Sequence, residues 1–284
     1  MNNFGTTQKF KSHAKINLGL TVVNKREDGY HNIDSLFIEL ELHDTISFSP
    51  NDSFSLTTNF LDLPVDASNL VSKAYNLLLP HKAKSTPEYS IHLEKKIPMG
   101  GGLGGGSSNA ATTLKALNQL WNCGFDNKNL CKLGASLGAD VPFFIEGGIQ
   151  HVTGIGEILN PVEFKALSNL QFLLIVPEIH VSTEWAYKAL NISLQSNKKV
   201  PKFSPLTGPV IWQLFENDFE RVIRSTYPEI DEIKSQLYDC GAIYAGMSGS
   251  GSTVFGIFDN RELLQKSSEQ FTQCQSFITF PHIL

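Results

Sequence analysis

Residues 98–108 read P-M-G-G-G-L-G-G-G-S-S, so six of eleven positions are glycine. Directly after them, Ala110, Leu114, Leu117 and Trp121 recur at steps of three or four, the mark of a helix with one buried face. Ser107 or Ser108 is suited to cap its start, and Gly124 stands just past its end. Glycine lets backbone N–H groups turn toward one point without Cβ clashes. A helix N-terminus adds unpaired donors and the positive end of its dipole. The combination predicts a phosphate cradle. A flexible linker is the bland alternative, but linkers are not followed at once by a capped amphipathic helix.

Three kinds of phosphate loop compete. A Walker A loop ends in Gly-Lys-Ser/Thr, and no lysine lies between Pro98 and Ser108. Gly100-x-Gly102-x-x-Gly105 matches the dinucleotide fingerprint, but in so glycine-rich a run the match is cheap. That fingerprint also needs an acid about twenty positions on, ending a second strand. Asp126 is the nearest candidate and falls in a predicted turn. The third kind is the P-x-x-x-G-L-G-S-S-A-A-like loop of the GHMP kinases, which Pro98, Gly102, Leu103, Gly104, Ser107, Ser108, Ala110 and Ala111 resemble, with extra glycines.

The 284 residues allow one large domain or two ordinary ones, and at 41% hydrophobic and 18% charged they can build a full core. A formal charge of −5 argues against generic nucleic-acid or anionic-membrane binding, which selects a Lys/Arg excess. Cys123, Cys131, Cys240 and Cys274 form no C-x-x-C pair and have no histidine spaced to complete a zinc site, which predicts reduced structural thiols. Residues 1–15 hold no apolar signal-peptide core. The longest aliphatic stretch, Phe172–Val176, stops at Pro177 and is far too short to span a bilayer. A soluble, cytoplasmic protein, monomeric or weakly dimeric, is expected.

Within residues 9–23, Phe10, Ala14, Ile16, Leu18, Leu20 and Val22 fall on even numbers and Lys9, Lys11, His13, Lys15, Asn17 and Thr21 on odd ones, a period of two. This predicts a half-buried strand with Lys15 and Asn17 on one face. Asp28-Gly29 is a turn signal before a second alternating run, Leu36 to Phe48. A third strand is expected over Tyr89–Ile97, and a helix near Asn69–Leu79. Further on, helices are predicted over 129–137, 212–225, 229–239 and 262–273, and strands over 172–176 and 252–258. Gly147–Pro161 reads as a soft boundary and Asn191–Pro209 as a long surface loop. Strands first and mixed elements later predict an α+β fold in two layers.

Five blocks spread over nearly the whole chain resemble the GHMP kinase family. They are Ala14-Lys15-Ile16-Asn17-Leu18, Asp28-Gly29-Tyr30-His31, Pro98 to Ala111, Leu137 to Phe143, and Ser248-Gly249-Ser250-Gly251. Five blocks in order are far more specific than any one. The A-K-I-N and D-G-Y-H pairing is similar to that of a member whose alcohol substrate carries a cytidylyl diphosphate end.

The resemblance implies an α+β, two-domain kinase: an ATP-binding, catalytic domain over 1–155 and an α/β-sandwich domain over 156–284. It implies that Pro98, Met99, Gly100, Gly101, Gly102, Leu103, Gly104, Gly105, Gly106, Ser107 and Ser108 hold ATP, with help from Lys95. Asp140 read alone is a helix cap or a site carboxylate; the resemblance makes it the base that accepts the substrate hydroxyl's proton. Lys15 read alone is a solvated strand lysine; the matching family lysine lies beside the aspartate and steadies the transferring phosphoryl group. Asn17 then hydrogen-bonds the substrate. Tyr30 and His31 are turn-flanking residues or, by resemblance, hold the cytosine, with Tyr187 offering the opposite stacking face. Mg²⁺ is implied, with Ser108 its protein ligand. A GHMP kinase for another small alcohol, and a regulatory nucleotide-binding protein without catalysis, are the alternatives; the presence of both Lys15 and Asp140 argues against the second.

Overall fold

The computed structural model describes residues 6–191 and 210–283. The chain forms two compact units that interleave along the sequence. The first takes the chain up to Ala14, His43–Ile97 and Gly104–Gly147; the second takes Lys15–Leu42, Pro98–Leu103 and the chain from Gly148 onward. Two long strands, β1 (Gln8–Lys25) and β2 (His31–Asn51), therefore contribute to each unit. They pair with one another, joined at the expected turn, where Gly29 has φ +90° and the Arg26 N–H donates to the Tyr30 carbonyl at 2.7 Å.

In the first unit, Thr45–Asn51 of β2 runs antiparallel to β4 (Glu88–Glu94), and β4 runs parallel to the short β3 (Ser55–Thr58). Four helices accompany them: α1 (Leu70–Leu78), α2 (Gly105–Leu120), α3 (Asn127–Ala135) and α4 (Val141–Glu146). Phe48, Tyr75, Leu114, Leu117, Trp121 and Phe143 fill the core between them. The expected helix near Asn69 is α1, and Asn69 caps it by accepting the Val71 N–H. Asp126 accepts the Asn129 N–H at 2.8 Å and caps α3, which is why it is no ribose-binding acid.

In the second unit, Ser35–Ile38 of β2 runs antiparallel to β5 (Ile149–Thr153), which pairs antiparallel with β6 (Ile158–Pro161). The expected boundary at Gly147–Pro161 is thus a hairpin built into a sheet. A separate antiparallel sheet has the order β10-β7-β9-β8, with β7 at Gln171–Val176, β8 at Tyr244–Met247, β9 at Val254–Phe258 and β10 at Gln275–Thr279. Helix α7 (Pro228–Asp239) packs on β8 and β9, and α8 (Arg261–Ser268) on β7, β9 and β10. Helices α5 (Thr183–Leu190) and α6 (Glu220–Thr226) complete the unit.

The helix expected over 212–225 exists only in part. Leu20 N–H donates to the Glu216 carbonyl and Asp218 N–H to the Leu20 carbonyl, both at 2.8 Å. That pairing with β1 holds 216–218 extended, and α6 starts only at Glu220. The expected loop at Asn191–Pro209 lies almost wholly outside the described residues. All four cysteines are free thiols, and burial pushes the Cys131 thiol up to about 12. Among the described residues no helix is long and apolar enough to cross a membrane.

Candidate active site

The period-two pattern predicts that β1 buries one face, but Ala14–Leu20 are buried on both. The polar face is accommodated because its groups find partners inside. Lys15, 4% exposed, donates from Nζ to Asn17 Oδ1 at 2.5 Å. Its ammonium also stands 4.7 Å from the centre of the Phe37 ring, a cation–π distance. Asn17 Nδ2 donates to Ser35 Oγ at 3.2 Å, and Ser35 Oγ donates to the Gly19 carbonyl at 2.5 Å. Ser35 and Phe37 share the odd-numbered face of β2 with His31. One side of this strand pair therefore carries Lys15, Asn17, Ser35, Phe37 and His31.

The first half of the glycine loop belongs to the same unit and is fixed to that strand. Lys15 N–H donates to the Leu103 carbonyl at 3.0 Å. Ser248 bridges the two: its Oγ donates to the Gly102 carbonyl at 2.9 Å and accepts the Asn17 N–H at 3.2 Å. Gly102 has φ +77°, and a Cβ there would lie 2.2 Å from the Ser248 carbonyl oxygen. Glycine is required by both the dihedral and the contact.

The second half of the loop opens α2 in the other unit. Neither serine caps the helix: Gly104, in the left-handed region at φ +71°, holds the cap position without a side-chain bond. No side-chain cap therefore takes up the backbone N–H groups of the first turn, which suits anion binding. Ser108 instead turns inward, 1% exposed, with its Oγ 2.8 Å from Ser12 Oγ. The Ser108 hydroxyl is thus bonded within its own unit.

Below this turn lies a buried network that sequence inspection missed. Asp44 Oδ1 accepts the N–H groups of Lys96 and Ile97 at 2.7 and 2.8 Å, and Asp44 Oδ2 accepts Asn109 Nδ2 at 2.8 Å and pairs with the Lys95 ammonium. Asn109 also donates to Ser12 Oγ at 2.9 Å. Lys95 is thus neither an exposed strand-end lysine nor turned outward, and its side chain braces the segment entering the loop. Asp44→Ala strips a buried ammonium of its partner, so a loss of about 3–5 kcal/mol of stability is expected. Urea unfolding checks it; a loss below about 1 kcal/mol would show that the network does not brace the loop.

Asp140 stands immediately before α4, in the same unit as α2. Its side chain makes no capping bond to α4, so the cap alternative is not what places it there. The preceding Gly138 abuts the first turn of α2: a Cβ on it would lie 3.6 Å from Ser107 Oγ. Lys115 Nζ on α2 donates to the Phe144 carbonyl of α4 at 2.9 Å. Asp140 is thereby held near the N-terminal end of α2.

At the other end of the Lys15 face, His31 stacks on Tyr187 with ring centres 4.7 Å apart and planes 19° from parallel. No base fits between these two rings as they stand. Tyr30, 60% exposed, is the sequence neighbour of His31. Burial, with a smaller effect of Lys25, lowers the His31 pKa, keeping the ring neutral near pH 7. Tyr187 rides on α5, whose Thr183 Oγ1 lies 2.9 Å from Ser250 Oγ, so the stacked pair is tied to the Ser248–Ser252 loop.

Comparison with known proteins identifies the family. The model of the GHMP kinases N terminal domain matches residues 69–148, and that of the GHMP kinases C terminal domain matches 210–274. The 4-diphosphocytidyl-2-C-methyl-D-erythritol kinase of Thermodesulfovibrio yellowstonii is 40% identical over 274 residues, covering 92% of this chain and 93% of that protein. The enzyme of the same name from Chlorobium limicola is 41% identical over 260 residues, covering 89% and 88%. A crystal structure of 4-(cytidine 5'-diphospho)-2C-methyl-D-erythritol kinase superposes with a TM-score of 0.80 at 30% identity, covering 97% of this chain and all of that one. The chain belongs to the GHMP kinases and, within them, to the family of these cytidylyl-methylerythritol kinases.

Proposed function

We propose that the chain transfers the γ-phosphoryl group of ATP to the 2-hydroxyl of 4-diphosphocytidyl-2-C-methyl-D-erythritol, giving the 2-phosphate and ADP. The observation that carries the reading is the buried Lys15–Asn17 pair, locked to Gly102 through Ser248, in a chain about 40% identical to kinases of that name. The matches to the N- and C-terminal family models fall either side of residue 155, as expected for an ATP-binding domain over 1–155 and a second domain over 156–284, while the compact units interleave, Lys15–Leu42 and Pro98–Leu103 belonging to the second.

The glycine loop and the first turn of α2 take the ATP phosphates on backbone N–H groups. The accepting hydroxyl sits on a carbon that also bears a methyl group, so it is a hindered tertiary alcohol. Asp140 accepts its proton as the oxygen–phosphorus bond forms and the bond to the ADP oxygen breaks. The Lys15 ammonium, oriented by Asn17 and Phe37, stabilises charge on the moving phosphoryl group. Mg²⁺, when bound, would neutralise charge on the ATP phosphates, with Ser108 the side chain proposed to reach it. The cytosine stacks on an open face of the His31–Tyr187 pair beside Tyr30, its polar edge read by hydrogen bonds.

Regiochemistry tests the reaction. Carbon 2 carries no hydrogen, so the new phosphomonoester gives a ³¹P resonance without three-bond coupling to a proton; a coupled resonance would place the phosphate on another hydroxyl. Replacing Tyr30 and His31 together by alanine tests the cytosine site. One stacked base is worth about 1–3 kcal/mol, so kcat/KM for the cytidylyl substrate is expected to fall roughly ten- to a hundredfold. KM for ATP should stay nearly constant. Equal effects on both substrates in a folded mutant would reduce the two residues to turn formers. His31 has a lowered pKa, so its neutral ring persists as pH falls toward the ordinary histidine range. KM for the cytidylyl substrate is therefore expected to be flat from pH 8 to about 6.5, the unperturbed value, and to rise only below it.

A further inference from the structure

Ser248 matters through its aim: its one hydroxyl meets both Asn17 and Gly102. What aims it is Asn217, 5% exposed, on the extended segment that pairs with β1. Asn217 Nδ2 donates to the carbonyls of Met247 and Gly249, both at 2.8 Å, the residues on either side of Ser248. Its Oδ1 accepts the Phe219 N–H at 2.9 Å. Both donors and the acceptor are thus engaged. The next residue fixes the segment itself: Asp218 Oδ2 accepts the Val22 N–H at 2.8 Å. Gly249, in the left-handed region at φ +59°, would place a Cβ 3.3 Å from Asn17 Oδ1, so the gripped turn lies directly on the Lys15–Asn17 pair.

We infer that Asn217 is a positioning residue for phosphoryl transfer. It grips the turn on both sides of Ser248 and so sets the Ser248 hydroxyl between β1 and the glycine loop. A purely structural asparagine would need one anchor for the turn. Two bonds straddling the one residue that bridges Asn17 and Gly102 fix the direction of that residue's side chain. The inference rests on the glycine loop binding ATP, as proposed above, and not on which alcohol is phosphorylated.

The test is a double-mutant cycle of Asn217→Ala and Ser248→Ala, read by ATP affinity in calorimetry without alcohol and by kcat with the cytidylyl substrate. Each single variant is expected to weaken ATP binding and kcat about tenfold, and the double variant to be little worse than either, because residues acting as one unit are not additive. Losses that multiply, or a folded Asn217→Ala with wild-type ATP affinity and kcat, would overturn the inference. If Asn217→Ala does not fold, Asn217→Ser, which keeps a donor, carries the same cycle. A wrong alcohol assignment shows as absent turnover in the wild type while the ATP-affinity arm of the cycle still reads out.

Discussion

Asp140→Asn is expected to lower kcat by about 10²–10⁴-fold, the usual worth of a general base, while ATP still binds. The amide matches the carboxylate in shape but cannot take up the proton of the attacking hydroxyl. Asp140 makes no capping bond to α4, so the exchange removes no helix cap. The loss should then fall mainly on chemistry, with kcat down while the protein stays folded. A variant within a few-fold of wild-type kcat would remove Asp140 from the role. Lys15→Ala should also lower kcat strongly, and the two losses should combine to less than their product if both groups serve one transition state.

Gly102→Val is expected to weaken ATP binding at least about a hundredfold, equivalent to ~2.7 kcal/mol. A left-handed backbone costs a side-chain-bearing residue about 1–2 kcal/mol, and a β-branched one is a genuine outlier there. The contact is the larger problem. The nearest atoms to the new Cβ are the Ser248 carbonyl oxygen at 2.2 Å and its carbon at 3.1 Å, and backbone cannot swing away as a flexible side chain can. The loop and the Ser248 turn must separate, breaking the bond from Ser248 Oγ to the Gly102 carbonyl. Calorimetry on a mutant shown folded by circular dichroism decides the point; unchanged ATP affinity would mean that the cradle lies elsewhere. Gly106 makes a local control: a Cβ there meets only Leu70 Cδ1 at 3.5 Å, so Gly106→Ala should leave stability unchanged or raise it.

Short-range patterns carried most of the fold that could be read in the sequence. The alternation of β1, the Asp28-Gly29 turn, the Asn69 cap and the periodicity of α2 each depend on neighbours a few residues away. The features that escaped depend on distant partners. Ser108 looks like a cap until Ser12, 96 positions away, takes its hydroxyl. Asp44 carries no local signal because its partners lie 51 to 65 positions on. Residues 216–218 fall inside a plausible helical window, and only pairing with β1 draws them out of it. The hairpin of β5 and β6 hides among glycines at 147, 148, 154 and 156, which read as linker but all adopt positive φ. In the candidate site, Lys15, Asn17 and the glycine loop were legible because motif and period agree there. The meeting of His31 with Tyr187 was not, since no local pattern relates residues so far apart.

ADP release from the wild-type protein, measured against a panel of alcohols, tests the central claim most directly. Turnover is expected with 4-diphosphocytidyl-2-C-methyl-D-erythritol and only background ATP hydrolysis with mevalonate, with homoserine, or without any alcohol. Turnover with mevalonate or homoserine in place of the cytidylyl substrate, or none with any alcohol while ATP binds, would contradict it.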